Sequence, residues 1–464
     1  MISGALERFV QEQMIATRIP GLSMVLLRDG DVAERHFGFR ELERRRPPTS
    51  ATRYGLGSVT KVFTALAVLQ LAAAGELDLE APLARLLPEA APFGDATVRH
   101  VLAHASGLPA LGWSETKMSP SWPMDGFPVG GYADLAVLMG GAEGWRTAAP
   151  GIEWRYSNEG YLLLGLLVER LDGVPYAEAI RRRLLEPLGM DRSTFDPDEV
   201  AADDDRAAPT MLDDDGGFVP GSNLIGAMPA AGGLVSTPSD MTAFARLLLA
   251  RGVAPSGDRL LPAASVESMA AADVALDAAT PFDGLMLWAD PLRVNGAGLQ
   301  RHVDVLGRDV WAHGGGVMGG TSYVAVAPDH GTGVVLLANA HGYPLAQMAL
   351  VALATLWGAA PEDLPFVRRQ RVLEPLAGRY AAFAGTILAD VATRGWGLEL
   401  RFDFRPRGRA VPLLLLSDDP DTATTRFLAL GGGRPGLAEV VRRDGAIELR
   451  YERYALRRRG EVPR

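Results

Sequence analysis

The sequence contains no cysteine. Disulfide bonds, thiolate nucleophiles and cysteine-held metals are therefore excluded, and the residue that would report a redox compartment is missing. Lysine is almost as scarce: of 46 basic residues only Lys61 and Lys117 are lysines, which leaves 44 arginines. No apolar run reaches the roughly 18 residues needed to span a bilayer; the longest lies around Met348 to Ala360. The opening MISGALERFVQEQMIATRIPG carries acids early and no apolar h-region, so no secretory signal is expected and the expected location is cytoplasmic, a removed signal leaving no trace. A net charge of −10 argues against nucleic acid or an anionic membrane as partner. The short run Arg181 to Arg183 reads as a solvated helix face. Phosphate-cradling glycine loops, dinucleotide fingerprints and a Gly-x-Ser-x-Gly elbow are likewise missing.

Core material is plentiful. At 464 residues, 48% of them apolar and 22% charged, the chain exceeds one ordinary core and two or three domains are expected. Leu6, Phe9, Val10 and Met14 share one face of an N-terminal helix. In GLSMVLLRDGDVAERHFGF two strand-like runs flank Asp29-Gly30, a hairpin signal. The apolar helix of YGLGSVTKVFTALAVLQLAAAG follows, then helical stretches at VRHVLAHASGLP, GYLLLGLLVERL and DMTAFARLLLARG. Strand character returns at TSYVAVAP and GTGVVLLAN, joined by Asp329-His330-Gly331, before a helix from Pro344 to Trp357. Strands from both ends of this region with helices between them predict an α+β fold: one antiparallel sheet flanked by helices, plus an all-helical lobe, over residues 1–357. GAAPEDLPFVRRQ, residues 358–370, is the linker candidate. Beyond it, over 371–464, the period becomes two. Leu398, Leu400, Phe402 and Phe404 alternate with Glu399, Arg401, Asp403 and Arg405, and Ile447, Leu449 and Tyr451 with Glu448, Arg450 and Glu452. Short runs of this kind predict a small antiparallel β-barrel.

Three stretches can carry chemistry. Ser58 and Lys61 stand at i and i+3, one turn apart on one helix face. A serine at a helix start has free backbone N–H groups beside it, and a neighbouring amine can take its proton once burial and the positive helix end have lowered the amine's pKa. Arginine cannot substitute, because its guanidinium does not deprotonate in proteins. Tyr156-Ser157-Asn158 precedes an apolar helix. There a phenol can relay a proton and an amide can orient a substrate, while Ser157 or Asn158 would equally suit a helix N-cap. WAHGGGVMGGTSYVAVAP places His313, Gly314, Gly315 and Gly316 at the mouth of a strand, where glycine admits close approach of a ligand to strand N–H groups or permits a bulge.

Ser58-Val59-Thr60-Lys61, Tyr156-Ser157-Asn158 and His313-Gly314-Gly315, in that order, resemble the three motifs of the serine β-lactamase and penicillin-binding protein superfamily. The likeness is to the class C β-lactamase-related branch, with its esterases, D-aminopeptidases and CubicO-like peptidases. VRHVLAHASGLP, LLEPLGMDRSTF and AAGGLVSTPSDMTAFARLLL extend it to about residues 5–357. The resemblance implies a cofactor-free serine hydrolase with no metal. Ser58 is then the nucleophile, Lys61 and Tyr156 share the base role, and Asn158 positions a small ester, amide or short-peptide substrate. The N–H groups of Ser58 and Gly316 would form the oxyanion hole. Penicillin-recognising members usually carry Lys-Thr-Gly as the third motif. His313 in its place favours an esterase or aminopeptidase over a β-lactamase or a slow-turnover penicillin sensor. The opening of the C-terminal region, LEPLAGRYAAFAG, is similar to lipocalin-like domains appended to some of these hydrolases, and a homo-oligomer formed through it is expected.

Other residues invite chemistry less directly. His100 and His104 have the i, i+4 helical spacing of a zinc pair but lack a third ligand and a general-base glutamate, so both are expected to be structural. Trp113, Trp122 and Trp145 are candidates to line a cleft.

Overall fold

The computed structural model describes residues 2–113, 132–213, 217–223, 225, 228–271, 274–275, 293–340, 345–394, 397–403, 410–416, 423–431, 434–443 and 445–459. Lys117, Trp122, His341, Phe404 and Arg405 lie outside them. The described residues fall into two compact units, one running to Gly358 and one from Ala359 onward.

The first unit is built on an antiparallel sheet. Its strands are β1 (Gly21–Arg28), β2 (Asp31–Gly38), β3 (Val274–Ala275), β4 (Arg293–Asn295), β5 (Gln300–His302), β6 (Val310–Val317), β7 (Gly320–Ala327) and β8 (Thr332–Ala338), in the order β2-β1-β8-β7-β6-β5-β4-β3. The predicted hairpin at Asp29-Gly30 forms as β1–β2, and β1 then pairs with β8 from the far end of the unit, Val25 opposite Val335. β1 and β8 are buried along nearly their whole length, so they read as continuous apolar runs, whereas the edge strand β2 is mostly half-exposed.

Helices cover both faces. Val25, Leu27, Val324, Val326, Val335 and Leu337 join a core with Phe244, Leu247 and Leu248 of α4 (Pro238–Leu249). The alternating residues Met24, Leu26, Val334 and Leu336 are buried outside that core. There α5 (Leu345–Leu356) packs on β7 and β8 and against α1 (Gly4–Thr17). Period two places these two sets on opposite faces. α2 (Thr60–Ala73) runs through the larger core with almost every side chain buried, and Phe63 stacks on Phe244 at 4.1 Å. Each such buried ring is worth about 1.5–3 kcal/mol, which fixes the helix that carries Lys61. α3 (Asn158–Asp172) packs beside α2.

VRHVLAHASGLP differs from the expected helix. Thr97 caps a helix of only Val98–Leu102, and His104 follows in the left-handed region with φ 57°. The helical pairing of His100 with His104 therefore does not form: the His100 ring serves the cap through Thr97, and His104 belongs to the site described below. Residues 358–370 carry local structure. A 3₁₀ turn at Pro361–Asp363 leads into α6 (Pro365–Leu373), with Asp363 accepting from the Ala360 N–H at 2.9 Å.

The second unit closes an eight-stranded antiparallel barrel: β9 (Gly378–Ala381), β10 (Leu388–Arg394), β11 (Gly397–Phe402), β12 (Val411–Leu415), β13 (Thr424–Gly431), β14 (Arg434–Arg443), β15 (Ala446–Tyr451) and β16 (Tyr454–Arg458). Leu398, Leu400 and Phe402 point into its core with Phe427, Leu449 and Tyr451, while Arg401 stays exposed. β9 pairs with β16, so the ring leaves no free sheet edge. No helix among the described residues is long and apolar enough to cross a membrane.

Candidate active site

Ser58 lies in a tight crossing of two backbones. The two-residue strand Tyr54–Gly55 pairs with Val235–Ser236, and the chain then turns through a 3₁₀ segment, Gly57–Val59, into α2. Gly57 has φ 51°, and a Cβ there would lie 2.6 Å from the Gly316 nitrogen. From the other side, a Cβ on Gly315 would overlap the Leu56 carbonyl oxygen and sit 2.9 Å from the Ser58 nitrogen. Ser322, opposite Gly315 on β7, donates to that same Leu56 oxygen at 2.5 Å. Glycines at 57 and 315 thus let β6 touch the start of α2, with the backbone nitrogens of Ser58 and Gly316 at that contact. Ser58 is half-buried and Gly316 exposed, so a substrate can reach both.

With the Ser58 N–H as the oxyanion donor that the resemblance implies, Gly315→Ala, whose Cβ would press on that nitrogen, is expected to lower kcat by about 100-fold or more, the usual loss when one such donor is displaced. Steady-state kinetics on the folded variant measures it.

Lys61 is the buried partner. Its Nζ donates to Ser58 Oγ at 3.1 Å and to the Ala231 carbonyl at 2.5 Å, and lies 4.8 Å from the centre of the Tyr156 ring. The Ala231 segment is itself pinned to α2. Thr64 donates to Ala230 O at 2.7 Å, and Thr60 accepts from the Leu234 N–H at 3.1 Å. Complete burial holds the Lys61 amine well below its usual pKa, and the negative Glu159 partly opposes that shift. A neutral amine within reach of a serine hydroxyl is the condition for a lysine base. Tyr156 Oη stands 2.7 Å from the same Oγ. Both groups thus lie within proton-transfer distance of the serine hydroxyl.

Tyr156 immediately precedes α3. Ser157 is the N-cap, accepting from the Gly160 N–H at 3.0 Å, and half-buried Asn158 is the first helical residue. Glu159, which the sequence reading passed over, and His104, expected there to be structural, support this corner. Glu159, 1% exposed, accepts from the Ser157 hydroxyl at 3.1 Å and from the backbone N–H of Trp113 at 3.0 Å. His104 packs its ring on Tyr156 with centroids 4.3 Å apart. Glu159 adjoins the Tyr-Ser-Asn motif and was visible as an acid in an apolar helix; His104 gave only a zinc-like spacing, which pointed elsewhere. Trp113 is buried, and Trp145 is 72% exposed.

His313 sits on β6 opposite Val324, buried, with Nδ1 2.6 Å from the Gly314 carbonyl. The carbonyl can only accept, so Nδ1 carries the proton and Nε2 is left as an acceptor. Burial, reinforced by the Lys61 charge, lowers its pKa from 6.5 to about 4. His313 is neutral at pH 7 and cannot clamp a carboxylate by charge. Between those two values the unfolded chain binds a proton that the folded chain does not. Its contribution to stability is therefore full above about pH 6.5 and is lost as the pH falls towards 4. An NMR titration, assigned by difference against His313→Asn, is expected to give a midpoint near 4 and not 6.5.

The β-lactamase family model matches residues 6–355, and the model of the Pab87 octamerisation domain matches residues 361–457. The chain is similar to Penicillin-binding protein 4 of Amycolatopsis lactamdurans, 30% identical over 342 residues, covering 71% of this chain and 84% of that protein. It is similar to Esterase EstB of Burkholderia gladioli, 33% identical over 219 residues, covering 45% of this chain and 54% of the esterase. Among solved structures, an octameric penicillin-binding protein homologue from Pyrococcus abyssi superposes with a TM-score of 0.87 at 34% identity, over 99% of this chain and 100% of the other.

Proposed function

Because the chain belongs to the β-lactamase family and is a serine hydrolase, we propose that it hydrolyses a small ester, an amide or a short peptide, D-residues included, through an acyl-enzyme on Ser58. The observation that carries this reading is the placement of one half-buried hydroxyl, Ser58 Oγ, 2.7 Å from Tyr156 Oη and 3.1 Å from the buried Lys61 amine.

Ser58 Oγ attacks the substrate carbonyl carbon, and its proton passes to the Lys61–Tyr156 pair. The N–H groups of Ser58 and Gly316 hold the oxyanion. Collapse of the tetrahedral adduct breaks the bond to the amine or alcohol, which leaves with that proton. Water, deprotonated by the same pair, then attacks the ester on Ser58, releasing the carboxylic acid and restoring the hydroxyl. Asn158 orients the scissile group, and the edge of β6 at His313, Gly314 and Gly315 receives the acyl part. Neutral His313 supports esterase or aminopeptidase chemistry over carboxypeptidase or β-lactam chemistry, both of which hold a substrate carboxylate.

The second reading is a β-lactamase or penicillin-binding sensor that acylates and turns over slowly, favoured by the likeness to Penicillin-binding protein 4. The match to an octamerisation domain and the octameric relative support a homo-oligomer assembled through residues 371–464, with residues 1–357 as the hydrolase domain. The deciding experiment is a panel of p-nitrophenyl esters, L- and D-aminoacyl nitroanilides and a chromogenic β-lactam, with intact-protein mass followed over time. A transient adduct and a much larger kcat/KM for one ester or amide class is the expected result. A lasting adduct with the β-lactam alone would replace the first reading by the second.

A further inference from the structure

His104 is attached to both neighbours of Tyr156 and to Tyr156 itself. Its carbonyl accepts from the Arg155 N–H at 2.7 Å, and its Nδ1 accepts from the Ser157 N–H at 3.1 Å. Between those two anchors its ring lies on the Tyr156 ring, 4.3 Å between centroids and 31° between planes. Tyr161 and Trp154 close the other sides, at 4.9 Å and 6.1 Å.

The residue is costly where it stands. Its backbone is left-handed, φ 57°, a region that few residues other than glycine occupy. Because Nδ1 accepts, the ring proton is on Nε2, and that nitrogen is buried without a hydrogen-bond partner among the described residues. A strained backbone and an unpaired buried donor at one residue are found together where the surroundings over-determine a geometry that function uses. The ring alone does not explain the choice, since phenylalanine would stack as well and leave no unpaired donor. The acceptor alone does not either: asparagine offers one and tolerates the left-handed region better. Only histidine combines a flat ring with an in-plane acceptor at the δ position.

We propose that His104 is a positioning residue that holds Tyr156 in line with Ser58, fixing the main chain on both sides of the tyrosine and its ring from one face. The assignment rests on Tyr156 belonging to the proposed base pair. It adds that the 2.7 Å approach of Oη to Ser58 Oγ depends on a residue that touches neither the serine nor the substrate.

The test is a double-mutant cycle with an activated p-nitrophenyl ester, sensitive enough to read residual rates. His104→Phe keeps the ring and removes the acceptor; His104→Asn keeps an acceptor, suits the left-handed backbone and removes the ring. Each is expected to lower kcat by about 10- to 100-fold with KM changed less than about twofold, the signature of a group that acts on the chemical step. In a Tyr156→Phe background the same changes are expected to cost less than about twofold, because the hydroxyl being aimed is gone. A drop in either variant that disappears in that background supports the assignment. An equal drop in both backgrounds, or none in either variant, overturns it. Should His104→Phe fail to fold, the asparagine variant decides alone. If Tyr156→Phe itself retains wild-type kcat, the base assignment falls and the positioning role with it. An intact base with no coupling removes the positioning role only.

Discussion

Ser58→Ala is expected to reduce kcat/KM by about 10⁵-fold or more, and to abolish the covalent adduct altogether. The proposed acyl-enzyme has no other nucleophile: the atom 2.7 Å from Tyr156 and 3.1 Å from Lys61 is the one removed. A serine nucleophile works as a unit with its base, so losing it alone approaches the loss of the whole group. Some acceleration over water should survive, because the Ser58 and Gly316 N–H groups belong to the backbone and remain. The fold should survive as well. The side chain is half-buried at the surface of the site, and Lys61 keeps its bond to Ala231. Intact-protein mass after incubation with a slow ester, alongside steady-state kinetics, gives the answer. An adduct on the alanine variant, or activity within tenfold of wild type, would sink the mechanism.

Lys61→Arg, which keeps the positive charge, is expected to lose about 10²–10⁴-fold in kcat/KM, the range attributed to a positioned acid–base group. Burial drives the lysine amine towards its neutral form; the guanidinium cannot follow. It would also bring five donors into a pocket whose nearby acceptors are Ser58 Oγ and the Ala231 carbonyl, so the arginine variant should melt earlier. Lys61→Met separates the two effects. It fills similar space, and the lost bond to Ala231 is offset by relief of the amine's burial. The methionine variant should melt within several degrees of wild type yet be as inactive as the arginine variant. Paired kinetics and thermal melts test this. An active Lys61→Arg enzyme would show that charge, and not proton transfer, is what the site takes from residue 61.

Much of the fold was legible because hydrophobic pattern is local. The Asp29-Gly30 hairpin, the buried runs TSYVAVAP and GTGVVLLAN, and the alternation of Leu398, Leu400 and Phe402 all appear where period and turn residues put them. The helix read through VRHVLAHASGLP failed for an equally physical reason. Apolar spacing continues past Leu102, but the chain leaves the helix at His104, whose carbonyl is taken up by Arg155 and whose ring Nδ1 is taken up by Ser157, some fifty positions away. The same contact turned an apparent metal-like pair into a support for Tyr156. Residues 358–370, polar and proline-rich, read as a connection; their prolines open a 3₁₀ turn and a helix there, at positions where a missing N–H costs nothing.

The sequence by itself determined which groups are candidates for the chemistry, and their local geometry. Ser58 and Lys61 are expected on one face from their i, i+3 spacing alone, and the 3₁₀ turn that carries Ser58 into α2 keeps them 3.1 Å apart. It also determined that a titratable amine survives at residue 61 in a chain that otherwise prefers arginine. The tertiary structure alone decided what these groups can do. The neutral tendency of Lys61, the uncharged state of His313 and the obligatory glycine at 315 come from burial and contact among segments near 58, 104, 156, 231 and 315. Desolvation and steric exclusion are sums over everything nearby in space, and nearness between distant segments is what folding creates.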